Sequence, residues 1–140
     1  MNDDTLGDAD AIDVVAEVDI VEARRRGKDL AIKAGIRGTD LTLLATAISE
    51  ITRNILKYAG RGVVELHVVR RGGVGGLRVI ARDNGPGIGD VARAMEDGFS
   101  TGDGLGLGLP GTRRLMDEFD VQSTMGVGTT VIMIKWARDD

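Results

Sequence analysis

The sequence predicts an α/β fold: a two-layer α/β sandwich whose mixed, mostly antiparallel sheet carries its helices on one face. Two observations predict it. Strand-like segments follow one another through tight glycine turns, which favours antiparallel pairing. A long segment in the first half carries apolar residues at steps of three and four, the mark of a helix with one buried stripe.

The elements read in order as follows. Residues Met1 to Ala11 are acidic and read as a disordered lead, with a single domain over residues 12–137. Ile12 to Val18 alternates apolar with polar or small residues and reads as a strand. Asp19 is placed to cap a helix that runs to about Ala34 and is ended by Gly35; the basic run Arg24 to Arg26 is its solvated face. Thr39 or Asp40 caps a second, longer helix ending near Ala59 and Gly60, with Leu41, Leu44, Ile48, Ile51 and Ile55 as its buried stripe. Gly62 to Arg70 is a strand with Val64, Leu66 and Val68 on one face. His67 falls on the other face, beside Glu65, and reads as a structural or surface residue. Arg71 to Gly76 is a glycine-rich hairpin turn and Leu77 to Asp83 the strand after it. A short helix over Asp90 to Asp97, a flexible loop over Gly98 to Gly104, and a helix from Leu105–Leu109 to about Phe119 follow. Strands near Val121 to Thr124 and Thr129 to Trp136 complete the chain.

Composition removes several kinds of function. The net charge is −4 with both signs interspersed, so no basic face is expected for nucleic acid. Cysteine is absent and His67 is the one histidine, which removes disulfides, thiolate metal sites and multi-histidine clusters. No apolar run approaches the roughly 20 residues of a membrane span, and the acidic N-terminus lacks the apolar core of a signal peptide. A cytoplasmic protein is expected, bound to neither nucleic acid nor membrane. Glycine is the outlier at 21 residues, clustered in a few places as backbone-built loops are.

Four constellations carry chemistry. Glu50 and Asn54, four apart, share one side of the second helix, about 100° of rotation from the stripe residues Ile51 and Ile55. A carboxylate and a carboxamide at that rim can accept a proton and offer a hard oxygen to Mg²⁺; taken alone, they are also the polar edge of an amphipathic helix. Asp83-Asn84-Gly85-Pro86-Gly87-Ile88 closes a strand in which Leu77, Val79 and Ala81 share a face that Asp83 continues. A carboxylate aimed there needs a donor partner, and the exocyclic amino group of adenine is one. Gly85 and Gly87 allow a sharp turn and close approach to a flat ligand. An ordinary loop with a capping aspartate reads equally well. Gly102 to Gly111 alternates glycine with Leu105, Leu107 and Leu109 and opens a helix, an arrangement suited to phosphates. It lacks the Gly-Lys-Ser/Thr of a P-loop, and a loop rather than a strand precedes it. Gly128-Thr129-Thr130 enters the last strand; a threonine at a strand start is common, and this signal counts only with the others.

In this order the four resemble the GHKL ATPase/kinase superfamily, of the Bergerat fold, over about Ile12 to Trp136. Glu50 and Asn54 match its N-box, Asp83 through Gly87 its G1 box, and Gly104 through Gly108 its G2 box. Ala47-Ile48-Ser49-Glu50, Met95 to Thr101, Gly108-Leu109-Pro110-Gly111 and Arg114 to Phe119 make the chain most similar to the RsbT-like switch kinases, the anti-sigma-factor kinase group. The resemblance implies ATP and Mg²⁺. Asp83 would read the adenine amino group, with Thr129 supporting it directly or through water and Thr130 as the less favoured choice. Gly87 would pass close to the base, and Gly85 and Ile88 belong to the same binding turn. Asn54 would hold Mg²⁺ bridging the phosphates. The backbone of Gly104, Leu105, Gly106, Leu107, Gly108 and Leu109 would cradle the triphosphate, and Glu50 would be the general base.

The resemblance further implies a protein-serine/threonine kinase whose substrate is a STAS-domain antagonist protein, with a PP2C-type phosphatase as downstream effector and a stressosome-type partner-switching pathway as its setting. Nothing in the chain matches the transducer domain of Hsp90-, gyrase- and MutL-like members or the phosphoacceptor histidine of histidine kinases, so the substrate is expected on another molecule. The alternative is an anti-sigma factor of the RsbW/SpoIIAB type, which shares the fold and sequesters a sigma factor.

Overall fold

Alternation along the strands and the three-and-four step along the long helix settle which faces meet. The computed structural model describes residues 4–88, 95 and 108–138. Within them the order is β1 (Thr5–Val14), α1 (Val18–Lys33), α2 (Gly38–Tyr58), β2 (Gly62–Arg71), β3 (Val74–Asp83), α3 (Gly108–Leu115), β4 (Glu118–Thr124) and β5 (Gly128–Trp136). The strands form one five-stranded sheet in the order β1-β2-β3-β5-β4. Every neighbouring pair is antiparallel. The expected short helix over Asp90 to Asp97 and the loop over Gly98 to Gly104 lie outside the described residues, Met95 apart.

The core lies between the sheet and the two long helices. Val64, Leu66 and Val68 of β2 and Leu77, Val79 and Ala81 of β3 are buried in one cluster with Leu44, Ile48, Ile51 and Ile55 of α2. Leu41 packs against the same cluster from the first turn. Thr52 is wholly buried but returns its hydroxyl to the Ile48 carbonyl at 2.7 Å, so no polar group is stranded. Ala23, Gly27, Leu30 and Ala31 form the buried face of α1. A Cβ on Gly27 would collide with the Ile48 Cδ1 atom, so glycine is what lets α1 lie this close to α2.

The N-terminal expectation needs correction. From Thr5 onward the supposed disordered lead is strand, and β1 ends at Val14 rather than Val18. None of its residues before Ile12 is buried, so no core-facing stripe marks them. Pairing with β2 and three ion pairs hold them: Asp4 with Arg71, Asp8 with Lys33, and Asp10 with Arg26. Arg26 is therefore a tie between α1 and the sheet, not only a solvated charge.

The helix caps also differ from expectation. Glu17 and Arg37 precede α1 and α2 without side-chain capping bonds. Asp19 instead accepts the Val15 and Ala16 N–H groups at 2.9 and 3.0 Å, bracing the bend between β1 and α1. Asp40 binds Arg138 at 3.1 Å and lies 3.6 Å from the buried Lys135. The third helix ends at Leu115, and Phe119 lies in β4. The Asp117 N–H bonds to the Ile134 carbonyl at 3.0 Å, drawing the chain onto the sheet edge.

Two stability outcomes follow from this packing. Gly27→Val should lower stability by about 1–3 kcal/mol through overpacking against Ile48, read as a lower urea midpoint; an unchanged midpoint would contradict the close α1–α2 approach. Hydrogen bonds from Arg25 and then Arg26 hold the Glu22 carboxyl at about 2 against its ordinary 4.5. A carboxyl depressed in the folded state stabilises the fold above its unfolded value and loses that contribution as pH falls through the folded one. The urea midpoint should therefore fall between pH 4.5 and about 2, and Glu22→Gln should flatten part of that fall. Superimposable pH profiles for the two proteins would show that these exposed pairs contribute nothing.

Candidate functional site

The buried stripe of α2 fixes the direction of its neighbours. With Ile48, Ile51 and Ile55 turned into the core, Glu50 and Asn54 fall at the edge of the helix where it borders a cleft. The cleft has a volume of about 380 Å³, within the range of small-molecule sites. Ile51 and Ile55 of α2, Ala81 of β3 and Val131 of β5 give it an apolar lining.

Four chain segments meet there. Helix α2 contributes Glu50 and Asn54, the turn after β3 contributes Asp83, Pro86, Gly87 and Ile88, the start of α3 contributes Gly108, Leu109 and Pro110, and β5 contributes Thr129. Of the residues singled out from sequence, Glu50, Asn54, Asp83, Gly87, Ile88, Gly108, Leu109 and Thr129 line this one cleft. Gly85 stands behind it, where a Cβ would come within 2.6 Å of the Ala59 Cβ at the end of α2. Gly104, Leu105, Gly106 and Leu107 lie outside the described residues.

The turn carrying Asp83 is built largely from backbone hydrogen bonds. The Asp83 Oδ1 atom accepts the Gly85 N–H at 2.9 Å and the Thr129 N–H at 3.3 Å. Its Oδ2 atom makes no hydrogen bond among the described residues. Gly87 has φ +80° and lies so close to the β4–β5 turn that a Cβ would come within 2.5 Å of the Thr124 carbonyl oxygen. An L side chain there would meet both an unfavourable backbone conformation and an occupied space. The Gly126 N–H bonds to the Pro86 carbonyl at 2.9 Å, and the Ile88 N–H bonds to the Ser123 hydroxyl at 2.7 Å. The two turns are thus joined at the cleft.

The charged groups lie mainly on α2. Glu50, with 14% of its side chain exposed, accepts a hydrogen bond from Arg53 Nη1 at 2.8 Å. Lys57 extends along the same border, its Nζ 5.1 Å from the centre of the Tyr58 ring. Among the described residues, no group of three or more histidine, cysteine, aspartate or glutamate side chains could enclose a metal ion. At the α2 border of the cleft the hard oxygens are those of Glu50 and Asn54. They suit a magnesium ion that is held mainly by phosphates and water and needs few protein ligands.

Sequence reasoning missed Arg53, Lys57, Tyr58 and Ser123. Helical spacing could have found the first three, since they continue the Glu50–Asn54 face at steps of three and four. Ser123 gave no local signal; its place beside Thr129 follows from the pairing of β4 with β5. The arrangement provides a carboxylate beside a guanidinium, a carboxamide, an apolar slot ending in acceptor oxygens, and backbone at the start of a helix. Such a set can hold a nucleotide and accept a proton from an incoming hydroxyl.

Comparison with known proteins gives the family of the chain. Residues 39–139 match the family described as histidine kinase-, DNA gyrase B- and HSP90-like ATPases. The chain is 47% identical over 133 residues to the serine/threonine-protein kinase RsbT of Bacillus subtilis (strain 168), an alignment that covers 95% of this chain and all of that protein. It is 34% identical over 103 residues to the anti-sigma F factor of Geobacillus stearothermophilus, covering 69% of each. To the anti-sigma F factor of Thermoanaerobacter sp. (strain X514) it is 32% identical over 103 residues, covering 69% of this chain and 71% of that one. The chain therefore belongs to the histidine kinase-, DNA gyrase B- and HSP90-like ATPase family, the GHKL superfamily, and within it is RsbT-like.

Proposed function

We propose that this chain is an ATP-dependent protein-serine/threonine kinase of a bacterial partner-switching pathway, and that it phosphorylates a STAS-domain antagonist protein. One observation carries the proposal: Glu50, Asn54, Asp83 and Thr129, from three separate elements, border one cleft of nucleotide size.

The roles follow from chemistry. The purine lies in the apolar slot between α2 and β5, its amino group donating to Asp83. Gly87 leaves room for the flat ring. The triphosphate runs toward the start of α3, where backbone N–H groups near Gly108 and Leu109 favour anions. Mg²⁺ would neutralise phosphate charge when bound, and Asn54 would hold it. Glu50 accepts the proton of the substrate hydroxyl. The hydroxyl oxygen forms a bond to the γ-phosphorus as the bond from that phosphorus to the bridging oxygen breaks, and ADP leaves. Positioning and charge neutralisation supply most of the rate, as is general for phosphoryl transfer.

Phosphorylation places about two negative charges at the kinase–substrate interface and so weakens it. The released kinase then engages an effector such as a PP2C-type phosphatase, within a stressosome-type assembly in the cytoplasm. No helix among the described residues is long and apolar enough to cross a membrane. A second reading, an anti-sigma factor that binds a sigma factor directly, draws on the similarity to the two anti-sigma F factors. Parallel pull-downs with a STAS protein and a sigma factor separate the two.

The direct test is incubation with Mg-ATP and a cognate STAS protein, followed by mass spectrometry for phosphoserine or phosphothreonine. Glu50→Ala should keep ATP binding and lose about 10²- to 10⁴-fold in transfer rate, the usual contribution of a general base. Transfer near the wild-type rate would remove Glu50 from that role. Asp83→Asn should weaken ATP binding by about 10- to 100-fold, as expected for loss of a hydrogen bond to a charged group. Calorimetry showing unchanged affinity would reject adenine recognition at this position.

A further inference from the structure

The hydroxyl of Ser123 has three neighbours, and one proton must satisfy them. Ser123 on β4 is the register partner of Thr129 on β5. The Ile88 N–H donates to its Oγ at 2.7 Å. The Gly128 carbonyl oxygen lies 3.2 Å from that atom, and the Thr129 Oγ1 lies 2.9 Å from it.

A hydroxyl offers one donor and two lone pairs. A carbonyl carries no proton, so the contact with Gly128 is a hydrogen bond only when Ser123 donates it. With the Ser123 proton on the Gly128 carbonyl, Ile88 fills one lone pair and the other accepts from Thr129. The reverse assignment would set the lone pairs of Ser123 and Gly128 against each other at 3.2 Å in a half-buried place, which is unfavourable. In that assignment the single proton of Thr129 is committed to Ser123. Toward the cleft, which Thr129 lines, its hydroxyl has only lone pairs to offer.

Asp83 reinforces this polarity. Its Oδ1 already accepts two backbone N–H groups, and a carboxylate is itself an acceptor. Both side chains at this end of the cleft therefore accept. At its 6-position a 6-amino purine brings two N–H donors to such a pair, whereas a 6-oxo purine brings a lone-pair oxygen there and keeps a donor only at N1.

We infer that Ser123 is a positioning residue for base selection: it holds the Thr129 hydroxyl as an acceptor, so that the cleft takes a 6-amino purine nucleotide and rejects a 6-oxo one. The inference rests on the ATP site proposed above and adds to it the residue that sets its polarity. In Ser123→Ala the Thr129 proton is released and can turn toward the ligand, where it can serve a 6-oxo group.

The test uses calorimetric titration of the whole chain with ATP and with inosine triphosphate, which differ at the 6-position of the base. The wild type should bind ATP at least about tenfold more tightly. Ser123→Ala should narrow that ratio about three- to tenfold, the scale of one neutral hydrogen bond, and Ser123→Thr, which keeps the hydroxyl, should restore it. Should Ser123→Ala fail to fold, Thr129→Val replaces it, and the ATP preference should again narrow. A ratio unchanged to within about twofold in the folded variant, or a narrowing that Ser123→Thr does not repair, overturns the inference while leaving the ATP site in place. A wild-type chain that binds neither nucleotide overturns the ATP site and this inference together.

Discussion

The burial of the α2 stripe against the sheet is the constraint on which the site depends. Leu44 and Ile48 are completely buried, and Ile51 and Ile55 are nearly so. A helix so anchored cannot rotate about its axis without withdrawing several large apolar side chains from the core, each contributing about 1.5–3 kcal/mol. Because α2 is fixed in rotation, Glu50 and Asn54 are fixed in direction. The same packing explains Gly27, where a side chain on α1 would press Ile48 out of place. Core packing and site geometry are in this respect a single property of the chain.

The opposite wall of the cleft is made in another way. There the backbone does most of the positioning. Asp83 ends β3, lines the cleft and receives the N–H groups of Gly85 and Thr129 on one oxygen. Gly87, Gly126 and Gly128 allow the turn after β3 and the β4–β5 turn to lie against each other, and Ser123 joins them through its hydroxyl. A wall built from backbone groups loses little side-chain entropy when a ligand arrives. It is also intolerant of added Cβ atoms, which is the physical use of the glycines in this part of the chain.

Charge secures the remaining edges of the sheet. Arg71 lies between Asp4 and Glu118 and over the Trp136 ring, while Trp136 donates its indole N–H to the same glutamate. This cluster ties the start of β1, the end of β2, β4 and β5 together. The guanidinium beside Asp4 holds that carboxyl below the ordinary carboxylate range. On β5, inside the sheet, the buried Lys135 donates to the Leu115 carbonyl, closing the last turn of α3 onto that strand. None of these groups lines the cleft, so the chain separates the charges that fasten its edges from those that face a ligand.

The sequence alone determined the elements whose cause is local. The step of α2, the alternation of β2 and β3 and the glycine turn between them are periodic properties of neighbouring residues, and they were legible. So were Glu50, Asn54, Asp83 and Thr129, because their order along the chain matched a known pattern. Tertiary structure alone decided what depends on distant partners. Thr5 to Ala11 has no apolar alternation and becomes strand because β2 lies beside it and Lys33, Arg26 and Arg71 meet its aspartates. Phe119 leaves the third helix because the Ile134 carbonyl draws Asp117 onto the sheet. Ser123 gains its place from the register between β4 and β5. Periodicity records the face a residue must bury, whereas the partner it meets is set by chain closure over long separations, which no local pattern encodes.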